Sequence, residues 1–264
     1  MPRYRLTIEY DGAPFVGWQR QDNGPSVQAA LEDAVFGFCG ERVAVHGAGR
    51  TDTGVHAAGQ VAHLDLAADK PADTVRAAIN FHLKPLPVVV VEAAAAAPDF
   101  HARFSATGRR YRYRLLNRRA PPALERGRVW HVPVPLDSDA MADAAQVLLG
   151  RHDFNSFRSA SCQAPSSIKT LDVLTVSRDG DTIQVDVAAR SFLHNQVRIL
   201  VGTLQLVGRG SWKRDDVAAA LAACDRTRAG PTAPPHGLTL MEVRYDAPSG
   251  TRKTDDADVA GDDE

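Results

Sequence analysis

Arg50-Thr51-Asp52-Thr53-Gly54-Val55-His56-Ala57 stands between two alternating runs, and the reading of this region decides the fold. Upstream, Val43-Ala44-Val45-His46 reads as a strand that Gly47-Ala48-Gly49 breaks. Downstream, Gln60-Val61-Ala62-His63-Leu64-Asp65-Leu66 alternates again. Asp52 therefore belongs to a loop between two strands, where rigid flanks can aim a side chain at a substrate. The same residues also suit an ordinary polar turn, with Asp52 bonded to nearby backbone.

Working outward, Tyr4–Tyr10 reads as a strand, and Ser26 caps a helix with Val27, Leu31, Ala34, Val35 and Phe38 on one face. After the two strands around Asp52, Asp73 is expected to cap a second helix, and Pro87–Ala95 supplies a fourth strand. The order β-α-β-β-α-β is the split βαβ pattern of ferredoxin-like units. It recurs downstream. Arg110–Leu116 reads as a strand and Asp137–Leu149 as a helix. Ile168–Arg178 and Thr182–Arg190 form a hairpin over Asp179-Gly180-Asp181. An apolar helix over Phe192–Val207, an extra one over Lys213–Cys224 and a closing strand at Leu238–Tyr245 complete the unit. The chain is thus read as α+β, with one half over residues 1–105 and another over 106–248. Two open sheets side by side leave a cleft between the halves. The tail, 249–264, is acidic, lacks aromatics and is expected to be disordered.

Cys39, Cys162 and Cys224 form no C-x-x-C pair, and the odd count argues against a disulfide framework. The N-terminus reads as a strand rather than a signal peptide, and no segment approaches membrane-spanning length. These features point to a cytoplasmic protein. The formal net charge of −1 hides an asymmetry: the tail alone carries −4, so the body stands at +3. Between His101 and His131 nine arginines (103, 109, 110, 112, 114, 118, 119, 126 and 128) face one acid, Glu125. Phe104, Tyr111, Tyr113 and Trp130 interleave them. A solvated basic face is one reading. Arginines for phosphates with aromatics for unpaired bases is the other, and it points to RNA.

The Phe192–Val207 helix embeds Arg198 among Leu193, Val197, Ile199, Leu200 and Val201. An uncompensated buried charge costs about 3–5 kcal/mol, so Arg198 either snorkels to water or meets an anion. Asp52 is the loop carboxylate best placed to reach it across the cleft. Asp52-Thr53-Gly54 matches the D-T-G of aspartic proteases, but those need two carboxylates sharing a proton, and this chain has one D-T-G. His46, His56 and His63 fit no zinc spacing and read as satisfied strand histidines. A non-catalytic RNA-binding module of RRM-like halves remains the main alternative to an enzyme. It leaves a carboxylate inside an anion-binding cleft without a purpose.

The chain resembles the TruA-type tRNA pseudouridine synthases. The likeness rests on Asp11-Gly12, Gly17-Trp18-Gln19, Gly49 through Ala57, Phe104-Ser-Ala-Thr107, Arg110-Tyr111-Arg112-Tyr113, Gly150-Arg-His152-Asp153-Phe154, and Phe192-Leu193 with Val197-Arg198 and Gly202. These motifs follow the family's order from about Tyr4 to Tyr245. The resemblance implies RRM-like halves joined into one continuous, mainly antiparallel sheet, a homodimer, and conversion of uridines 38, 39 and 40 in the anticodon stem-loop of tRNA to pseudouridine. It implies Asp52 as nucleophile, Arg50 as the base-flipping residue, Tyr111 as the platform stacked on uracil, and Arg198 as the partner of Asp52. Arg109, Arg110 and Arg112 are expected on the RNA backbone. Asn195-Gln196 departs from the family, where a methionine more often precedes Val-Arg, and this position is expected to line the wall near the base.

The chemistry suits these residues. Breaking N1–C1′, turning the ring and bonding C5 to the same carbon needs an anion beside an electron-poor sugar carbon. It also needs the base out of its stack, at a cost of a few kcal/mol. The reaction calls for no metal, nucleotide or redox cofactor.

Overall fold

The computed structural model describes residues 1–246; the acidic segment 249–264 lies outside the described residues. One ten-stranded sheet runs through the molecule, in the order β4-β1-β3-β10-β5-β9-β8-β7, with β2 on β3 and β6 on β5. The first half contributes β1 (Arg3–Tyr10), α1 (Val27–Cys39), β2 (His46–Gly47), β3 (His56–Asp65), α2 (Ala72–Leu83) and β4 (Val88–Ala96). The second contributes β5 (Ala106–Leu116), β6 (Trp130–His131), α3 (Ser138–Ala145), β7 (Gly150–Asp153), β8 (Ile168–Asp179), β9 (Thr182–Ala189), α4 (Gln196–Gly208), α5 (Arg214–Ala222) and β10 (Leu238–Tyr245).

The duplication is visible in the pairing. Strands β4-β1-β3-β2 have the same relative order as β10-β5-β9-β8, that of a split βαβ unit written twice. The halves join where β10 lies parallel to β3, through two residue pairs, Thr239 with His56 and Leu240 with Ala57. On its edge away from β1, strand β3 thus serves two neighbours, β2 near His63 and β10 near His56.

Alternation puts Tyr4, Leu6, Ile8 and Tyr10 of β1 on the face that α1 and α2 cover, with Leu31, Val35 and Ile79 packed against them. Full burial of each such side chain contributes about 1.5–3 kcal/mol. A second core gathers Tyr113, Leu115, Val185 and Val187 under α3 and α4. Leu238 belongs to one core and its same-face neighbour Leu240 to the other, so both helical layers cover one side of the sheet. Tyr111 packs against both. The Asp52 loop and α4 meet between the two layers, near the β3–β10 seam.

Several boundaries differ from the sequence reading. The strand expected over 43–46 shrinks to His46–Gly47 because Glu32 of α1 accepts from the Val45 N–H and Gln28 donates to its carbonyl. Helix side chains thus satisfy backbone that a strand neighbour would otherwise pair. Asp73 does not cap α2; Pro71 stands at the cap position and Asp73 falls in the first turn. Strand β7 is additional and pairs with β8 at the sheet edge. Helix α4 starts at Gln196 rather than Phe192, because Asn195 takes a left-handed conformation (φ 61°).

Candidate active site

The loop carrying Asp52 is held from beneath. Tyr10 and Thr51 share a hydroxyl hydrogen bond of 2.8 Å, and the Trp18 N–H donates to the Thr51 carbonyl at 3.0 Å. Thr53 Oγ1 donates to the Val16 carbonyl at 2.9 Å, and Gln60 Nε2 donates to the Gly49 carbonyl at 2.8 Å. Gly17 has φ 114°, and a Cβ there would come within 2.6 Å of the Thr51 carbonyl oxygen. Only glycine combines that backbone with that approach. The Asp11-Gly12 and Gly17-Trp18 motifs therefore form the floor of the loop. Burial of the Tyr10 ring pushes its hydroxyl up to about 12, which keeps it a neutral hydrogen-bonding group.

Arg198 meets Asp52 from the other half. Its Nη1 is 3.6 Å from Asp52 Oδ2, an ion pair looser than a hydrogen bond. The guanidinium is fixed elsewhere: Nε donates to the Ala233 carbonyl and Nη1 to Asn195 Oδ1, both at 2.8 Å. The Arg198 side chain is 15% exposed and that of Asp52 is 29% exposed, so the carboxylate keeps an open side. The left-handed Asn195 thus both delays α4 and supplies a bond to the arginine. Gln196 is buried; its Oε1 accepts from the Leu193 N–H, while its Nε2 has no partner among the described residues. Asn195 thus anchors Arg198, and Gln196 holds the backbone before α4.

Tyr111 stands at the junction of the two cores, half-buried, with its ring edge-on to Phe192 at 5.3 Å between centroids. Burial first, then proximity to Tyr10 and Asp52, raises its phenol above the ordinary range. Arg50 is exposed, two residues from Asp52.

The arginines of β5 divide by face. Arg109 lies on the side of Tyr111, and its guanidinium donates to the carbonyls of Ala48, Arg103 and Arg190. It ties the Asp52 loop to the second half, and burial lowers its pKa. Arg110 and Arg112 point to the opposite face, where both bond Asp186 Oδ1 at 3.1 Å. The structure brings together Asp52, Arg198 and Tyr111, and it does not bring Arg110 and Arg112 to them.

Nor does the His101–His131 segment concentrate as much positive charge in space as in sequence. Arg114 contacts Glu125, Arg118 lies 3.5 Å from Asp181, and Arg128 lies 2.9 Å from Asp11. Of the three strand histidines, His56 stands against Asp11, Gly12 and the carbonyls of Gly127 and His236. His63 stacks on His46.

One residue at the site escaped the sequence reading. His194 Nε2 is 3.4 Å from Asp52 Oδ1. It lies before α4, beyond the left-handed Asn195, so helical spacing to Arg198 does not account for its place at the site.

A sequence model of the tRNA pseudouridine synthase family matches residues 6–105 and 144–246. The chain is 61% identical over 250 residues to the tRNA pseudouridine synthase A of Paramagnetospirillum magneticum, covering 95% of this chain and 98% of that protein. It is 61% identical over 245 residues to the namesake from Rhodospirillum rubrum (93% of this chain, 88% of that one). The same identity and length hold for that of Rhodospirillum centenum (93% and 100%). Asp52 and Arg198 fall within the matched segments, Tyr111 lies between them, and the chain belongs to the tRNA pseudouridine synthase family.

Proposed function

We propose that this isomerase converts uridines 38, 39 and 40 of the tRNA anticodon stem-loop to pseudouridine, with Asp52 as its nucleophile. The observation that carries the reading is the open side of the Asp52 carboxylate, backed by Arg198 and set beside Tyr111. Arg50 enters the stem and helps turn the target nucleotide out, and Tyr111 stacks on the extruded uracil. As N1–C1′ breaks at the sugar carbon, Asp52 adds to the nucleotide, and its bond is broken again when the turned ring reattaches. C5 then bonds to that carbon and loses its proton, while N1 gains one, so the reaction is balanced without an oxidant. The raised Tyr111 hydroxyl stays protonated through the neutral range, which suits a stacking surface.

Arg109, Arg110 and Arg112 take graded parts in RNA binding. Arg109 acts by holding the loops that line the cleft. Arg110 and Arg112, with one Asp186 between them, keep a net positive charge for RNA that runs past the cleft onto the other face. We further propose a cytoplasmic homodimer, to be read by light scattering in solution. Among the described residues no helix is long and apolar enough to cross a membrane.

Tritium release from tRNA labelled at uridine C5 tests the assignment. The parent should release tritium from transcripts whose only labelled uridines are at 38–40, and Asp52→Asn should release none while binding tRNA at least as tightly. Turnover retained in Asp52→Asn would remove the nucleophile assignment. A parent that binds tRNA and releases nothing would mark an RNA-binding protein instead.

A further inference from the structure

Asp52 has a second neighbour on its other oxygen. Oδ2 faces Arg198 at 3.6 Å, while Oδ1 faces His194 Nε2 at 3.4 Å. The far nitrogen of the same ring, Nδ1, is 3.2 Å from Ser161 Oγ, which is 3.0 Å from Ser159 Oγ. The Ser159 N–H also donates to the His194 carbonyl at 3.0 Å. The loop following Phe157 is therefore fastened to His194 through both side chain and backbone.

We propose that His194 is a positioning residue for Asp52, with Ser161 fixing the ring so that the Nε2 hydrogen faces the carboxylate. The proposal rests on Asp52 being the nucleophile. A carboxylate held at one oxygen can still turn about its last torsion. Neighbours from two places, one per oxygen, restrict that turn and leave the open side free. Arg198 supplies a permanent charge. His194 supplies direction through its ring N–H.

The tautomer matters. With the hydroxyl of Ser161 donating to Nδ1, the ring proton resides on Nε2 and points at Asp52. The opposite tautomer would set a lone pair against the carboxylate. Ser161 thus acts on Asp52 through His194, without touching it.

Because the contact orients the nucleophile and holds no RNA, its loss should appear in kcat. His194→Ala should lower kcat by about 10²-fold, as misplacement of a reacting group does, with KM for tRNA unchanged. His194→Gln carries an N–H donor to a similar reach and should recover part of the loss. Ser161→Ala should give an intermediate kcat, again at parent KM. Thermal melting of each variant reports folding, and Ser161, being exposed, serves should His194→Ala fail to fold. Parent-like kcat in His194→Ala, a loss carried by KM, or a glutamine variant no better than alanine would each overturn the proposal. These results are separable from the nucleophile assignment, which stands or falls on Asp52→Asn.

Discussion

Arg198 on α4 and Asp52 in the loop before β3 come from opposite halves and face each other at 3.6 Å across the short parallel pairing of β3 with β10. The arginine is already committed to Asn195 and Ala233, so it is a fixed surface against which the carboxylate rests. Arg198→Lys keeps the charge but loses the planar fork. It should be destabilised less than Arg198→Ala, which we expect to lose about 1–3 kcal/mol in urea melts. Both should lose most of their tritium release. A lysine variant with parent turnover would show that charge alone suffices and that the fork has no part.

Gln196 offers a test of stability rather than activity. Its buried Nε2 has no partner among the described residues, and an unsatisfied buried group of this kind costs about 1–3 kcal/mol. Gln196→Met removes that donor at similar volume but also gives up the Oε1 bond to the Leu193 N–H. The orphaned Leu193 N–H costs as much, about 1–3 kcal/mol, so we expect stability to stay within about 1 kcal/mol of the parent, with tritium release unchanged. A larger loss of stability would mean that the Leu193 bond dominates.

The division of β5 into two faces makes a separate prediction. Charge reversal at Arg110 or Arg112 should flatten the salt dependence of binding to whole tRNA by about one unit of slope. An isolated anticodon stem-loop, too short to leave the cleft, should show no change. If whole tRNA binds parent and both variants with one slope, the two arginines belong to the fold and not to the interface.

Acid stability should follow His63. Burial, with His101, Arg3 and His46 nearby, holds its imidazole down to about 4, below the usual 6.5. The unfolded chain therefore binds more protons between those values, and stability rises with pH across that window. It should fall as pH drops from about 6.5 toward 4. The His63 Nδ1 accepts from the Ala102 N–H, which an asparagine oxygen can replace. His63→Asn should shrink the difference in melting temperature between pH 7 and pH 4.5. An unchanged difference would assign the acid limb to other groups.

Much of this was legible in the sequence because each half obeys local rules. Ser26 does cap α1, accepting from the Ala29 N–H, and the hairpin from Asp179 to Thr182 closes over Gly180 as its turn chemistry requires. What escaped depends on contacts distant in sequence. Nothing near Val45 announces that Glu32 takes its N–H. Counting acids within the arginine-rich segment could not find Asp186, Asp181 or Asp11. The face of each β5 residue was readable from alternation, but which face lies in the cleft was set by the helices above it. His194 sat in view beside Arg198, and only folding of the 159–161 loop gave it a partner.

The last described strand has a consequence for synthesis. Strand β10 sits between β3 and β5, and through it the two halves share one sheet. A chain that has reached only residue 237 possesses Asp52, Tyr111, His194 and Arg198, yet lacks the piece that holds them across from one another. In a growing chain the two halves therefore become parts of one sheet only when β10 pairs. Strand β10 closes the sheet late in the sequence, as a keystone is the last stone dropped into a vault.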